Sequence, residues 1–133
     1  TMDDLSYKDL VGIAALLVHV SKIDDHYSNE EVKLIDSFIK SLNKNNFNNN
    51  QILQEAEELE EDSNQLLTFT NIIKKKSDKF KTIIIKQLWK LIISDNSVDK
   101  YEANLMRRVC GLIYFSDKLN GEIKLQVLSD KKE

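Results

Sequence analysis

Apolar residues recur at three- and four-residue intervals along most of the chain, which is the spacing of one face of an α-helix. In the first such stretch, from about residue 6 to residue 22, Leu10, Ile13, Leu17 and Val20 follow this spacing. Further stretches with a helical period cover residues 29–42, 51–61, 63–75, 78–94, 100–115 and 117–128. The pattern therefore predicts an all-α protein, a single-domain helical bundle of about seven helices over residues 1–133.

Two segments indicate how such a bundle would be arranged. Residues 78–94 are apolar on most of the helix circumference, which is typical of a helix at the centre of a protein. Residues 43–50 are a polar connector with six asparagines, a residue type that tolerates turns and the left-handed backbone. We expect Phe47 to anchor this connector to the core.

The composition supports helices and excludes several classes of protein. The chain has no proline and only three glycines, whereas an all-β fold needs both at its many turns. A net charge of −3, with 17 lysines and two arginines, gives nucleic acid no basic field and few bidentate groups, so we expect no nucleic-acid partner. The longest apolar run, residues 10–18, is nine residues long, against about 20 for a membrane-spanning helix. We expect a cytoplasmic protein with no integral membrane segment, in which the single cysteine, Cys110, is a buried hydrophobic side chain rather than a reactive thiol.

An internal repeat appears when the chain is compared with itself at an offset of 71 residues. Asp24 then aligns with Asp95, and Glu31 aligns with Glu102. Each copy reads as an apolar helix, an acidic loop and an amphipathic helix. The repeat predicts two pseudo-symmetric helical hairpins, at about residues 10–42 and 80–115, joined by linking helices in residues 50–76 and followed by a C-terminal helix at residues 117–128.

The acidic loops have two interpretations. In the first, they only cap helices: Ser28 with Glu31, and Asp99 with Glu102, have the spacing of a capping box, in which the first side chain accepts from the amide three residues on and the glutamate reaches back. In the second, the loops gather oxygen ligands for a divalent cation. The metal ligands would be Asp24, Asp25, His26 and Glu31 in the first copy, and Asp95, Asp99 and Glu102 in the second. Neither loop has the EF-hand spacing, so a cation site would have to be shared between loops or completed by a partner.

The duplicated pattern of an apolar helix, an acidic loop and a glutamate seven residues after the aspartate resembles the TerB-like tellurite-resistance family. Residues 110–117, Cys-Gly-Leu-Ile-Tyr-Phe-Ser-Asp, are similar to the end of its small stand-alone bacterial members. The resemblance extends over about residues 10–128. It implies an all-α, pseudo-symmetric, intracellular bacterial protein that is linked to tellurite or other chemical stress and to metal association.

Carried over by position, the acidic pairs of the family fall on Asp24 with Glu31 and on Asp95 with Glu102. The glycine that the family usually places after the aspartate is replaced in both copies, by aspartate in the first and asparagine in the second. Related domains are also parts of larger proteins, including a membrane-anchored J-domain co-chaperone. This implies an interaction module with a protein partner, through which the chain could associate peripherally with a membrane.

Two runs of charge suggest where such a partner would bind. An acidic run includes Glu57, Glu58 and Glu61, and a basic run includes Lys75, Lys76 and Lys79. Acids at the C-terminal end of a helix oppose the helix dipole, so we expect the lysine run or a basic partner to neutralise them. The alternative is that both runs are simply solvated helix faces.

No arrangement of a nucleophile with a histidine base, no phosphate loop and no established metal motif is visible, so we expect no enzymatic activity. The sequence favours a non-enzymatic TerB-like tellurite-resistance or stress-response protein, with a divalent cation at the acidic loops as its one candidate cofactor. The alternative function is a protein–protein interaction scaffold whose acidic loops are only helix caps.

Overall fold

The computed structural model of the chain describes residues 5–23, 27–63, 65–94 and 100–132. The described residues form α-helices and no strand, so the predicted all-α fold class is confirmed. The seven helices within these ranges are α1 (Tyr7–Ser21), α2 (Asn29–Leu42), α3 (Asn49–Asp62), α4 (Leu66–Lys74), α5 (Asp78–Ile93), α6 (Lys100–Leu112) and α7 (Asp117–Lys132).

The first helix, α1, lies at the centre of the bundle. It begins with a capping box, because Ser6 Oγ accepts from the Asp9 amide at 3.1 Å and the Asp9 carboxylate accepts from the Ser6 amide at 3.0 Å. Residues 12–18 are all buried, and α1 contacts α2, α3, α4 and α5. A helix that is buried around most of its circumference must be covered by several neighbours.

The second central helix is α5, which contacts α1, α2 and α7. Its apolar circumference buries Phe80, Ile84, Leu88 and Trp89. The indole Nε1 of Trp89 donates to Asn120 Oδ1 on α7 at 2.8 Å, so its one polar atom is satisfied in the core. The position of α5 agrees with the apolar pattern of residues 78–94.

Phe47 anchors the asparagine-rich connector between α2 and α3, as expected, because it is partly buried against the core. Asn43 Nδ2 donates to the Phe47 carbonyl at 2.7 Å, and the Phe47 amide donates to Asn43 Oδ1 at 3.0 Å. The Phe47 ring meets the Tyr7 ring edge-on, with 5.5 Å between centroids. Asn46 adopts a φ of 58°, the left-handed conformation that asparagine tolerates.

Several helix ends differ from the sequence pattern, including the start of α4, which lies at Leu66 and not at residue 63. Helix α6 ends at Leu112, three residues before the predicted end, because Tyr114 adopts a left-handed φ of 59° and the Phe115 amide donates back to the Cys110 carbonyl at 2.8 Å. Helix α7 continues to Lys132, past the predicted end at residue 128. The apolar period did not predict this last turn because its residues are polar. The single-domain boundaries and the two-fold relation between the repeat halves stay predictions.

Candidate functional site

The first acidic loop leads into α2 through a closed capping box. Ser28 Oγ accepts from the Glu31 amide at 3.2 Å, while Glu31 Oε1 accepts from the Ser28 amide at 3.0 Å and lies 3.1 Å from Ser28 Oγ. The Glu31 side chain is buried, with 4% of the residue exposed. One carboxylate oxygen that the sequence offers to a cation is therefore already occupied by the start of the helix.

The other predicted metal ligands are divided between described and undescribed parts of the chain. Glu102 is buried in the first turn of α6 and has an interaction partner. Among the residues that the structure describes, no three His, Cys, Asp or Glu side chains are grouped to hold a metal ion. The predicted ligands that lie outside the described residues are Asp24, Asp25, His26, Asp95 and Asp99.

Glu60 of α3 forms the most buried ion pair at this end of the bundle. Its carboxylate accepts from Lys22 Nζ at 2.8 Å and lies 3.2 Å from His19 Nδ1, both at the C-terminal end of α1. Burial of the Glu60 carboxyl opposes its ionisation, but the hydrogen bonds and charges of Lys22 and His19 outweigh that effect and lower its pKa. The contact attaches the end of α3 to the end of α1.

Tyr27, just before α2, lies among the carboxylates of three glutamates. Burial raises the pKa of its phenol, and the hydrogen bond to Glu57 together with the negative charges of Glu57, Glu31 and Glu60 raises it further. Lys22 Nζ lies 5.7 Å from the centre of the Tyr27 ring. The region around Tyr27 and Glu60 therefore contains three glutamate carboxylates, one lysine and one histidine.

The outer face of α3 is acidic and exposed. Glu58, Glu61 and Asp62 are exposed to solvent, whereas Glu57 is half-buried beside Tyr27. Within the part of the chain that the structure describes, none of the three exposed acids forms an ion pair. We call Glu58, Glu61 and Asp62 the α3 acidic face.

The lysine run does not neutralise this face. Lys76 pairs with Asp9 at the start of α1, with 3.5 Å from its Nζ to the carboxylate, and Lys74 Nζ lies 4.9 Å from the centre of the Tyr114 ring. Lys75 and Lys79 are exposed. Lys76 pairs with Asp9 in the first turn of α1, whereas Glu60 of α3 pairs with His19 and Lys22 at the other end of α1. The basic run and the α3 acidic face therefore lie toward opposite ends of that helix.

The family profile described as tellurite resistance protein TerB matches residues 10–125, which is most of the chain. The chain belongs to the TerB family. No curated protein and no solved structure matches it significantly.

TerB membership confirms the resemblance seen in the sequence and agrees with the helical fold. Of the two glutamates that were predicted as metal ligands, Glu31 is fixed by its capping box and Glu102 is buried. None of the helices within the described ranges is long and apolar enough to cross a membrane.

The single thiol of this TerB-family chain is buried, as predicted. Cys110 is 2% exposed. Its burial, and to a smaller extent the negative charge of nearby Asp117, raises the pKa of the thiol to about 12. A thiolate is the reactive form of cysteine, so this side chain serves as part of the core.

The contacts of Glu60 could not be read from the sequence. The sequence pattern names only the lysine run or a basic partner as groups that would neutralise the acidic run, and it assigns no contact to His19. The contact joins residues 38 and 41 positions apart, and no helical period or motif links such positions. The one available signal was the unfavourable charge cluster at the end of α3, which indicated that a neutralising group was needed.

Proposed function

We propose that this TerB-family protein has no enzymatic activity and acts in tellurite resistance by binding a basic protein partner through the α3 acidic face. The observation that carries the proposal is that Glu58, Glu61 and Asp62 are exposed and form no ion pair within the described part of the chain. We further propose a cytoplasmic location, with any contact to a membrane made through the partner.

The energetics support an external partner. Like charges three or four residues apart on one helix repel one another, and acids near the C-terminal end of the helix also oppose its dipole. Glu58, Glu61 and Asp62 repel one another in this way and also lie in the last turns of α3, where they oppose its dipole. Lys74 and Lys76 do not offset these charges, because they contact Tyr114 and Asp9. A basic partner would relieve both the repulsion and the opposition to the dipole, and complementary charge mainly raises the rate and the specificity of association.

A pair of double variants with equal charge changes tests this proposal. Glu58→Lys with Glu61→Lys reverses the α3 acidic face, whereas Glu122→Lys with Asp130→Lys makes the same change at exposed positions of α7. The tagged wild-type chain is first used to capture a partner protein from the host, and that partner is identified and purified. Its binding to the wild type and to each variant is then measured at about 0.05 M and about 0.5 M salt. We expect binding that weakens at high salt, is lost in the α3 variant and is kept in the α7 variant. Equal binding by both variants would exclude the α3 acidic face.

A second candidate function is divalent-cation binding at the first acidic loop. It is favoured by the three carboxylates of Glu31, Glu57 and Glu60 around Tyr27, which make this end of the bundle electronegative. The described residues alone do not supply a grouped set of ligands, and Glu31 is engaged as a cap, so a site would depend on residues 24–26.

Calorimetric titration with calcium, magnesium, manganese and zinc distinguishes the two functions. Saturable heat that disappears in a variant with Asp24→Asn and Asp25→Asn would support the cation site. An absence of heat and of any thermal shift with all four cations would exclude it and leave the partner-binding proposal unaffected.

A further inference from the structure

A small pocket opens where α5, α6 and α7 meet. Its volume is about 150 Å³, and Trp89, Ala103 and Gly121 form part of its wall. Apart from the two neighbouring residues and the backbone of its own helix, no atom lies within 4 Å of the place where a side chain on Gly121 would begin. Residue 121 therefore leaves part of this space open, and a cavity of this size holds a molecule about as large as benzene.

A buried amide lines the pocket. Asn120 is only 5% exposed, and its Oδ1 accepts from Trp89 Nε1 at 2.8 Å. Because the indole nitrogen can only donate, this bond fixes the orientation of the Asn120 amide. Its Nδ2, which can donate twice, is left for other partners, and among the described residues it makes no hydrogen bond.

Two cations and one acid complete the lining. Arg107 on α6 and Lys124 on α7 face the pocket together with Asp117, which gives the lining a net charge of about +1 by counting full charges. Lys124 Nζ lies 5.5 Å from the centre of the Trp89 ring, and Arg107 makes one long contact of 3.5 Å, to Asn104. Within the described part of the chain, neither cation is paired with Asp117 or with another carboxylate.

We propose that this pocket binds a small monocarboxylate. A guanidinium can hold a carboxylate through two parallel hydrogen bonds, and Asn120 Nδ2 supplies a further neutral donor from the buried side. The single negative charge of the ligand matches the net charge of the lining, whereas a phosphate dianion would exceed it and would be repelled by Asp117 about twice as strongly as a monocarboxylate. The Trp89 ring and Gly121 provide an apolar surface for a short hydrocarbon group.

The indole of Trp89 reports directly on the pocket, because it is the only tryptophan in the chain. Its fluorescence is followed while acetate or propionate is added to the full chain, with sodium chloride holding the ionic strength constant. We expect a saturable change in emission with both carboxylates and a weaker response to phosphate. The proposal is wrong if neither carboxylate gives a saturable change, or if phosphate binds more tightly than both.

Matched variants separate occupation of the pocket from a general effect on folding. Gly121→Met places a flexible side chain in the open space and should abolish the response, while Gly111→Met, at a helical glycine with equally open surroundings, should keep it. Arg107→Gln should weaken carboxylate binding about tenfold, since it removes a charged hydrogen-bond donor, and Arg108→Gln on the same helix should not change it. Arg107 is exposed, so its variant tests the site even if Gly121→Met unfolds. Unchanged affinity in Arg107→Gln contradicts the proposal.

Discussion

The role of Glu31 can be separated from that of a metal ligand by removing its charge without removing its oxygen. Glu31→Gln keeps a carbonyl oxygen that can accept from the Ser28 amide, as Oε1 of Glu31 does at 3.0 Å, and glutamine also completes capping boxes. We therefore expect the free energy of unfolding to fall by less than about 1 kcal/mol.

Shortening the side chain should cost more than changing its charge. Glu31→Ala leaves the Ser28 amide without its acceptor and removes the buried side-chain atoms of a residue that is 4% exposed, so we expect a loss of about 1–3 kcal/mol. Ser28→Ala removes the acceptor of the Glu31 amide and should cost about 1 kcal/mol, as is usual for this cap position. Glu30→Gln, at the exposed neighbouring position, is the control and should stay within about 0.5 kcal/mol of wild type.

Urea denaturation with a chelator present measures all four variants in the absence of cations. A loss above about 2 kcal/mol in Glu31→Gln would refute the argument, because it would exceed what a neutral hydrogen bond contributes and would mean that the charge itself is required. A cation that stabilises the wild type but not Glu31→Gln would refute it by another route, because Glu31 would then be a ligand.

Three further predictions concern the core and its ion pair. Gly12→Ala should change stability by less than about 1 kcal/mol, since the gain in helix propensity is offset by moving Ile72, whose Cδ1 lies 2.3 Å from the new Cβ position. A Cβ at Gly111 would meet no such neighbour within 4 Å, so Gly111→Ala should gain most of the stability, about 1 kcal/mol, by which alanine exceeds glycine in a helix. Equal effects of Gly12→Ala and Gly111→Ala in urea denaturation would contradict this. The lowered pKa of Glu60 means that its ionised form stabilises the wild type at pH values above the usual carboxyl pKa of 4.5, and that this stabilisation is lost as pH falls through the lowered pKa. Glu60→Gln should therefore be less stable than wild type above that range, with a smaller difference at lower pH. Identical acid denaturation of the two proteins would count against the ion pair. Cys110 should react with a thiol reagent at neutral pH only after unfolding, because its pKa is raised to about 12 and it is 2% exposed; rapid labelling of the native chain would show the opposite.

Local patterns predicted much of the fold because they depend on residues that are close in sequence. The apolar period indicated α1 and α5, and the spacing of Ser28 and Glu31 indicated a capping box that the structure contains. The polar last turn of α7 carries no such period, so its extension to Lys132 was missed.

Contacts between distant parts of the chain could not be predicted in the same way. The ion pair of Glu60 with Lys22, and the bond from Trp89 to Asn120, join residues 38 and 31 positions apart. Each depends on how two helices pack, which no helical period or cap spacing encodes. The pocket beside Trp89 likewise depends on the place of Gly121 in the bundle, although its glycine and charged residues are visible in the sequence.

The partner-binding proposal is tested most directly by tellurite tolerance in a host whose own copy of this gene is replaced by each double variant. Growth on potassium tellurite is compared at equal protein levels and with equal melting temperatures of the purified variants. We expect Glu122→Lys with Asp130→Lys to support wild-type growth, and Glu58→Lys with Glu61→Lys to grow no better than the deletion strain. Full tolerance in the strain with the reversed α3 acidic face would contradict the account.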